Sequence, residues 1–181
     1  MSDERIRDYA KEKGFHPQTL ARWLHWEPQD RDALCGLAVG LKIGENHLRE
    51  LMDWLEEIAL RDRCGIHQIL AQQKIAHIGS DPRLGRADKL KRIKEQIRRL
   101  RFPRLSRIED TIRARTQELK LPPAVRLSVP FGLEGGKLCV EISASTAQEL
   151  KKLIAQLAEA ADRDSIKEIF RMLAGETAED G

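Results

Sequence analysis

The sequence predicts a mainly α-helical protein, a helix-turn-helix helical domain joined by a basic helix to a small α-β-β-α unit. Three observations predict it. Apolar residues recur at three- and four-residue spacing through most of the chain. Strict alternation occurs in only two short runs, Val125/Leu127/Val129 and Leu138/Val140/Ile142. Charged residues make up 34% of the 181 residues and aromatics only 4%, a balance that suits helices carrying a large solvated surface. The expected division is a helical domain over 1–80, a basic linker helix over 81–104, and an α-β-β-α dimerisation unit over 105–181.

The elements follow in order. Asp3 to about Ile78 reads as short helices joined by tight turns. Arg31 to Leu41 is one. Leu48, Leu51, Met52, Leu55, Ile58 and Ala59 define the clearest, with Gly44 before it and Gly65 after it as boundaries. Ile66 to Ile78 reads as a third, ending at Gly79-Ser80-Asp81-Pro82. A basic helix follows and is broken at Phe102-Pro103. Ser106 and Glu109 have capping-box spacing, so a new helix is expected there, with Ile108, Ile112 and Leu119 inward. Leu121-Pro122-Pro123 stops it. The two alternating runs form a β-hairpin around Gly135-Gly136. Ser145 and Gln148 suggest a second capping box, and Leu150, Leu153, Ile154 and Leu157 mark the helix after it. A last helix, Ser165 to Leu173, precedes an acidic tail.

Near the N-terminus, Ile6 to Trp23 has helix-turn-helix spacing. Helices that cross steeply need a small residue at the contact, which Ala10 supplies, and Gly14 suits the positive φ of the turn. Pro17 fits a first helical turn, where a missing N–H costs nothing. Leu20 and Trp23 face inward. That leaves His16, Gln18, Thr19 and Arg22, with His25, on the outer face. Gln pairs with adenine, Arg with guanine, and Thr or His reaches phosphates or bases. The alternative is a helical hairpin used only for packing. Support for the pair is expected from the helices after Pro28.

The net charge is +3, but its distribution is more informative. Between Arg83 and Arg107 stand eleven basic residues and only Asp88 and Glu95 on the acidic side. At about 100° per residue, Lys91, Lys94, Arg98 and Arg101 share one sector, beside the apolar Leu90, Ile93, Ile97 and Leu100. One stripe is expected to pack while the other meets phosphates; the alternative is a solvated charged face. A lone hairpin is marginal in water, so the C-terminal unit is expected to form a homodimer through its strands. Its alternative is a monomeric unit docked on the helical half.

Other classes have less support. No apolar run reaches bilayer length, and Met1 leads into Ser2-Asp3-Glu4-Arg5 instead of a signal peptide. Three widely spaced cysteines, Cys35, Cys64 and Cys139, argue against a disulfide framework and for a cytoplasmic setting. Cys64 and His67 have ligand-like spacing with His77 beyond them, but no second cysteine pair completes a tetrahedral zinc site. Glu56-Glu57 and Asp162/Asp164 read as helix-surface charges, and no nucleophile sits beside a base. No catalytic residue, metal or cofactor is expected, and the protein is read as no enzyme.

Two stretches resemble the ParB chromosome-partition family. One is Leu41-Lys42-Ile43-Gly44-Glu45-Asn46-His47-Leu48-Arg49-Glu50 together with Glu57 to Asp62, which is similar to the helical core that follows the family's helix-turn-helix. The other runs from Gly135-Gly136-Lys137 through Ser145 into Glu149 to Leu153, similar to its C-terminal dimerisation unit. The resemblance implies DNA binding in chromosome or plasmid partition, a nucleoid location, a homodimer and a ParA-type ATPase as partner. The family's N-terminal CTP-binding domain has no counterpart in these residues, so CTP hydrolysis is not carried over. Transcriptional regulation is the alternative within DNA binding. A helical scaffold anchored by Trp23, Trp26 and Trp54 is the alternative outside it.

Overall fold

The computed structural model describes residues 2–175; the expected acidic tail from 176 onward lies outside the described residues. These residues are mainly helical, with ten α-helices and a small two-stranded antiparallel sheet. The chain divides into two compact units, Met1–Phe102 and Pro103–Gly181.

The first unit contains α1 (Ser2–Lys13), α2 (Pro17–His25), α3 (Pro28–Leu41), α4 (Glu45–Asp62), α5 (Ile66–Leu70), α6 (Gln73–Ser80) and α7 (Arg86–Arg101). Gly14 turns the chain between α1 and α2 at φ 68°, where a side chain would be strained. Pro17 and Pro28 open α2 and α3. The expected helix over Ile66–Ile78 is two helices. The Ala71 N–H bonds back to the His67 carbonyl, and Gln72 is extended at φ −55° and ψ 136°, which ends α5 and restarts the chain as α6. No glycine or proline marks that break.

One core holds the unit together, built from Ile6, Trp23, Leu34, Leu48, Leu51 and Leu55 with Ile93 and Ile97 of α7. The basic helix expected as a linker packs within this unit, with Ile93 and Ile97 fully buried and Leu90 and Leu100 partly so. α3 packs against α1. The Tyr9 hydroxyl lies 2.9 Å from the carbonyls of Ala38 and Ile43, and burial pushes its phenol pKa up.

The second unit contains α8 (Pro103–Glu118), β1 (Val125–Ser128), a 3-10 segment (Phe131–Gly136), β2 (Cys139–Ile142), α9 (Ala147–Ala161) and α10 (Asp164–Leu173). α8 begins at Pro103, so Ser106 lies inside it, buried, and the expected capping box does not form. The cap of the next helix sits one residue later than expected. Thr146 caps α9 by accepting from the Glu149 N–H, while the Glu149 carboxylate accepts from the Ser145 N–H. The strands pair Val125 with Ile142 and Leu127 with Val140. The core is small: Ile112, Leu119, Ala160, Ile166 and Ile169, with α10 packed on α8.

Candidate nucleic-acid interface

α4 organises the exposed face of the first unit. Its Leu48, Leu51, Met52, Leu55 and Ile58 face the core, which leaves two polar flanks and a solvent ridge between them. The flank toward α2 carries Glu45 and Glu56, and the flank toward α7 carries Glu50, Trp54 and Glu57. Most of the basic residues expected to meet DNA are held by these carboxylates.

On the α2 side, one Glu45 oxygen accepts both the His16 backbone N–H at 2.9 Å and the Thr19 hydroxyl at 2.6 Å. The Thr19 bond, followed by the His16 N–H, holds the Glu45 carboxyl below its ordinary pKa. Thr19 is therefore buried and does not face outward as expected. His16 caps α2, its Nδ1 accepting from the Gln18 N–H at 3.2 Å. Arg22 makes a two-pronged contact with Glu56 at 3.1 and 2.7 Å and an ion pair with Asp53 at 2.7 Å, and the Glu56 bond raises its pKa further. Trp26 donates its indole N–H to the same Glu56 carboxylate. α2 is thus tied at both ends to α4. Gln18 and His25 stay exposed.

On the α7 side, Lys94 pairs with Glu50 at 2.6 Å and Arg101 with Glu57 at 2.5 and 2.7 Å. Both pairs join residues 44 apart, so α4 and α7 run parallel with matching seven-residue steps. Both cations lie over the Trp54 ring, 5.5 and 5.9 Å from its centroid. Arg98 is buried and bonds Glu95. The phosphate stripe expected over Lys91, Lys94, Arg98 and Arg101 is therefore mostly an internal zipper. Of these four only Lys91 is exposed, with no side-chain hydrogen bond or ion pair among the described residues.

Other exposed polar groups lie elsewhere, around the first turns of α2 and α4. Lys42, which closes α3 in a left-handed conformation at φ 55°, is exposed, as are Asn46, His47 and Arg49. His47 lies 3.4 Å from the Lys94 ammonium, one helical turn beyond Lys91, and 3.9 Å from Glu50. Gln18 joins the group because Glu45 ties the start of α2 to the start of α4. The further half of the α4 ridge carries the carboxylate of Asp53 and the exposed Leu60. Lys42, Asn46 and Arg49 were not among the exposed polar residues singled out from the sequence, nor Glu45, Asp53 and Glu56 among the residues that hold α2. Their one local signal was the polar run Lys42 to Arg49 at a helix start.

The tryptophans do not form an exposed anchor. Trp23 is fully buried with its N–H unpartnered, Trp26 bonds Glu56, and Trp54 lies beneath two cations. Cys64 is half-buried, and His67 instead bonds Asp30 through Nδ1 at 2.7 Å. Among the described residues no group of three or more His, Cys, Asp or Glu side chains is placed to hold a metal, and no helix is long and apolar enough to cross a membrane. Compared with known proteins, the chain matches no family model, no curated sequence and no solved structure.

Proposed function

We propose that the protein is a ParB-like DNA-binding protein acting in chromosome or plasmid partition. The observation that carries this reading is the α1–turn–α2 pair. Gly14 makes its turn, and α2 is fastened to α4 at Glu45 and Glu56 while Gln18 and His25 stay exposed, as do Lys42, Asn46 and Arg49 near the start of α4. A rigid α2 presents side chains to base edges while neighbouring cations hold phosphates, the division of labour that gives both register and specificity. Gln18 and His25 are the base readers in this proposal. Lys42, Arg49 and Lys91 grip the backbone. Arg22, Lys94 and Arg101 hold the scaffold.

The homodimer belongs to the same proposal, because two copies present two such surfaces to a symmetric site. Its support is the apolar surface of the second unit, where Val140, Leu150 and Ile154 are 45%, 41% and 50% exposed. A nucleoid location, a ParA-type ATPase as partner and a role without catalysis complete the proposal.

Fluorescence anisotropy on duplex DNA across a salt series tests it. Arg49→Ala and Lys91→Ala should each flatten the log–log salt dependence by about 0.9. Gln18→Ala should leave that slope alone and reduce preference between sequences. Wild-type binding that ignores salt, or that none of the three substitutions alters, overturns the reading. Occupancy across the genome separates partition, which concentrates the protein at one locus, from regulation, which scatters it over promoters.

A further inference from the structure

The first unit has a second concave surface, lined by α3, α6, α7 and the end of α5 and separate from the residues assigned to DNA. It is a cavity of about 430 Å³, within the size range of small-molecule sites. Its floor is apolar, from Leu37, Leu70, Ile75 and Ile93. Three glycines create the space. Gly36 and Gly40 of α3 and Gly79 of α6 line it, and a Cβ added to any of them meets no atom within 4 Å.

The fold itself does not call for glycine at these places. None of the three has a positive φ, and no neighbouring chain segment approaches closely enough to exclude a methyl group. Gly36 sits in the middle of α3, where glycine weakens a helix relative to alanine. What the missing side chains do provide is room.

The rim supplies charge. Arg86, at the start of α7, is exposed and makes no side-chain hydrogen bond or ion pair among the described residues. Lys89 is held by the Gly79 carbonyl at 2.8 Å, leaving Arg86 as the available cation. Asp32 is the one carboxylate among the lining residues, and it disfavours a second negative charge on any occupant. An apolar floor beside one unpaired guanidinium complements an apolar body that ends in one anionic group.

We propose that this cavity binds a small monoanionic amphiphile, its apolar body over the glycines and its anionic group on Arg86. Octanoate and uncharged 1-octanol serve as probes of the full chain, with binding followed by calorimetry and by the amide resonances of Gly36, Gly40 and Gly79. Octanoate should bind saturably, bind more tightly than octanol, and shift those three glycines. Arg86→Gln should weaken octanoate about tenfold and leave octanol unchanged. Gly36→Leu should fill the cavity and abolish binding, with the melting temperature held or raised. Equal binding of octanoate and octanol, unmoved glycine resonances, or octanoate binding that survives a folded Gly36→Leu would each overturn the proposal. The glycine resonances decide the matter even if Gly36→Leu does not fold.

Discussion

The two units solve the same problem to different degrees. The first joins seven helices around one core in which Trp23, Leu34, Leu48, Leu51, Leu55, Ile93 and Ile97 are wholly buried. The second has the same kinds of side chain but covers fewer of them. On α9, Leu153 is buried while Leu150 and Ile154, on the same stripe, stand open. Val140 is open too, although it sits directly across from Leu127 on the sheet. A small unit has too little chain to cover both faces of a hairpin and a helix. The difference teaches that the first unit covers most of its apolar side chains with its own residues, whereas the second leaves a group of them open, the surface that the proposed dimer would cover.

Truncation in each unit tests that contrast most strongly. Leu51→Ala removes a fully buried side chain from α4 and should lower the stability of the first unit by about 2–5 kcal/mol in urea unfolding. Its cost should not depend on protein concentration. Ile154→Asp should act the other way: little change in the first unit's transition, but loss of the concentration dependence that a dimer gives the second. A second unit whose midpoint is already independent of concentration in the wild type would break the comparison.

Much of this was legible in the sequence because it is local. The Ala10/Gly14/Leu20/Trp23 spacing marks the α1–α2 turn, and alternation marks both strands in the right places. What was not legible is long-range. The eleven cations between Arg83 and Arg107 read as unpaired because only two acids lie in the same span. Two of them, Lys94 and Arg101, find their partners Glu50 and Glu57 on a helix 44 residues earlier in the chain. Thr19 and Arg22 were expected to face solvent for the same reason, since Glu45 and Glu56 reach α2 only once α4 is packed beside it. The break between α5 and α6 escaped notice because it is imposed by backbone geometry at Gln72, without a residue type that announces it.

A smaller effect distinguishes the polar seams of the first unit from its core. Asp30 of α3 accepts the His67 N–H at 2.8 Å and the His67 ring at 2.7 Å, so it caps α5 from a neighbouring helix. Burial alone would raise its carboxyl pKa; bonds from His67 and from the Ile66 N–H outweigh that and hold it below the ordinary value. A lowered carboxylate pKa stabilises the fold fully above the unfolded-state pKa, about 3.9, and that contribution is lost as pH falls through the folded value. Asp30→Ala should therefore cost about 1 kcal/mol at neutral pH. The gap from wild type should narrow as urea midpoints are followed from about pH 7 down toward pH 3. A gap that widens on acidification would show that the carboxylate is not the stabilising form.

The smallest effect is expected at Leu60. It is 83% exposed, more than any exposed apolar residue of the second unit, yet it stands alone on a charged ridge. Exposure of one leucine is ordinary for a protein surface, whereas Leu150 and Ile154 lie one turn apart on a shared face. Number and grouping therefore matter more than the exposure of any single side chain. Leu60→Gln should change stability by less than about 0.5 kcal/mol and leave both the oligomeric state and the DNA anisotropy titration where they were. A change in assembly size in ultracentrifugation would show that α4, too, is covered by a partner, and would end the distinction between a closed first unit and an open second one.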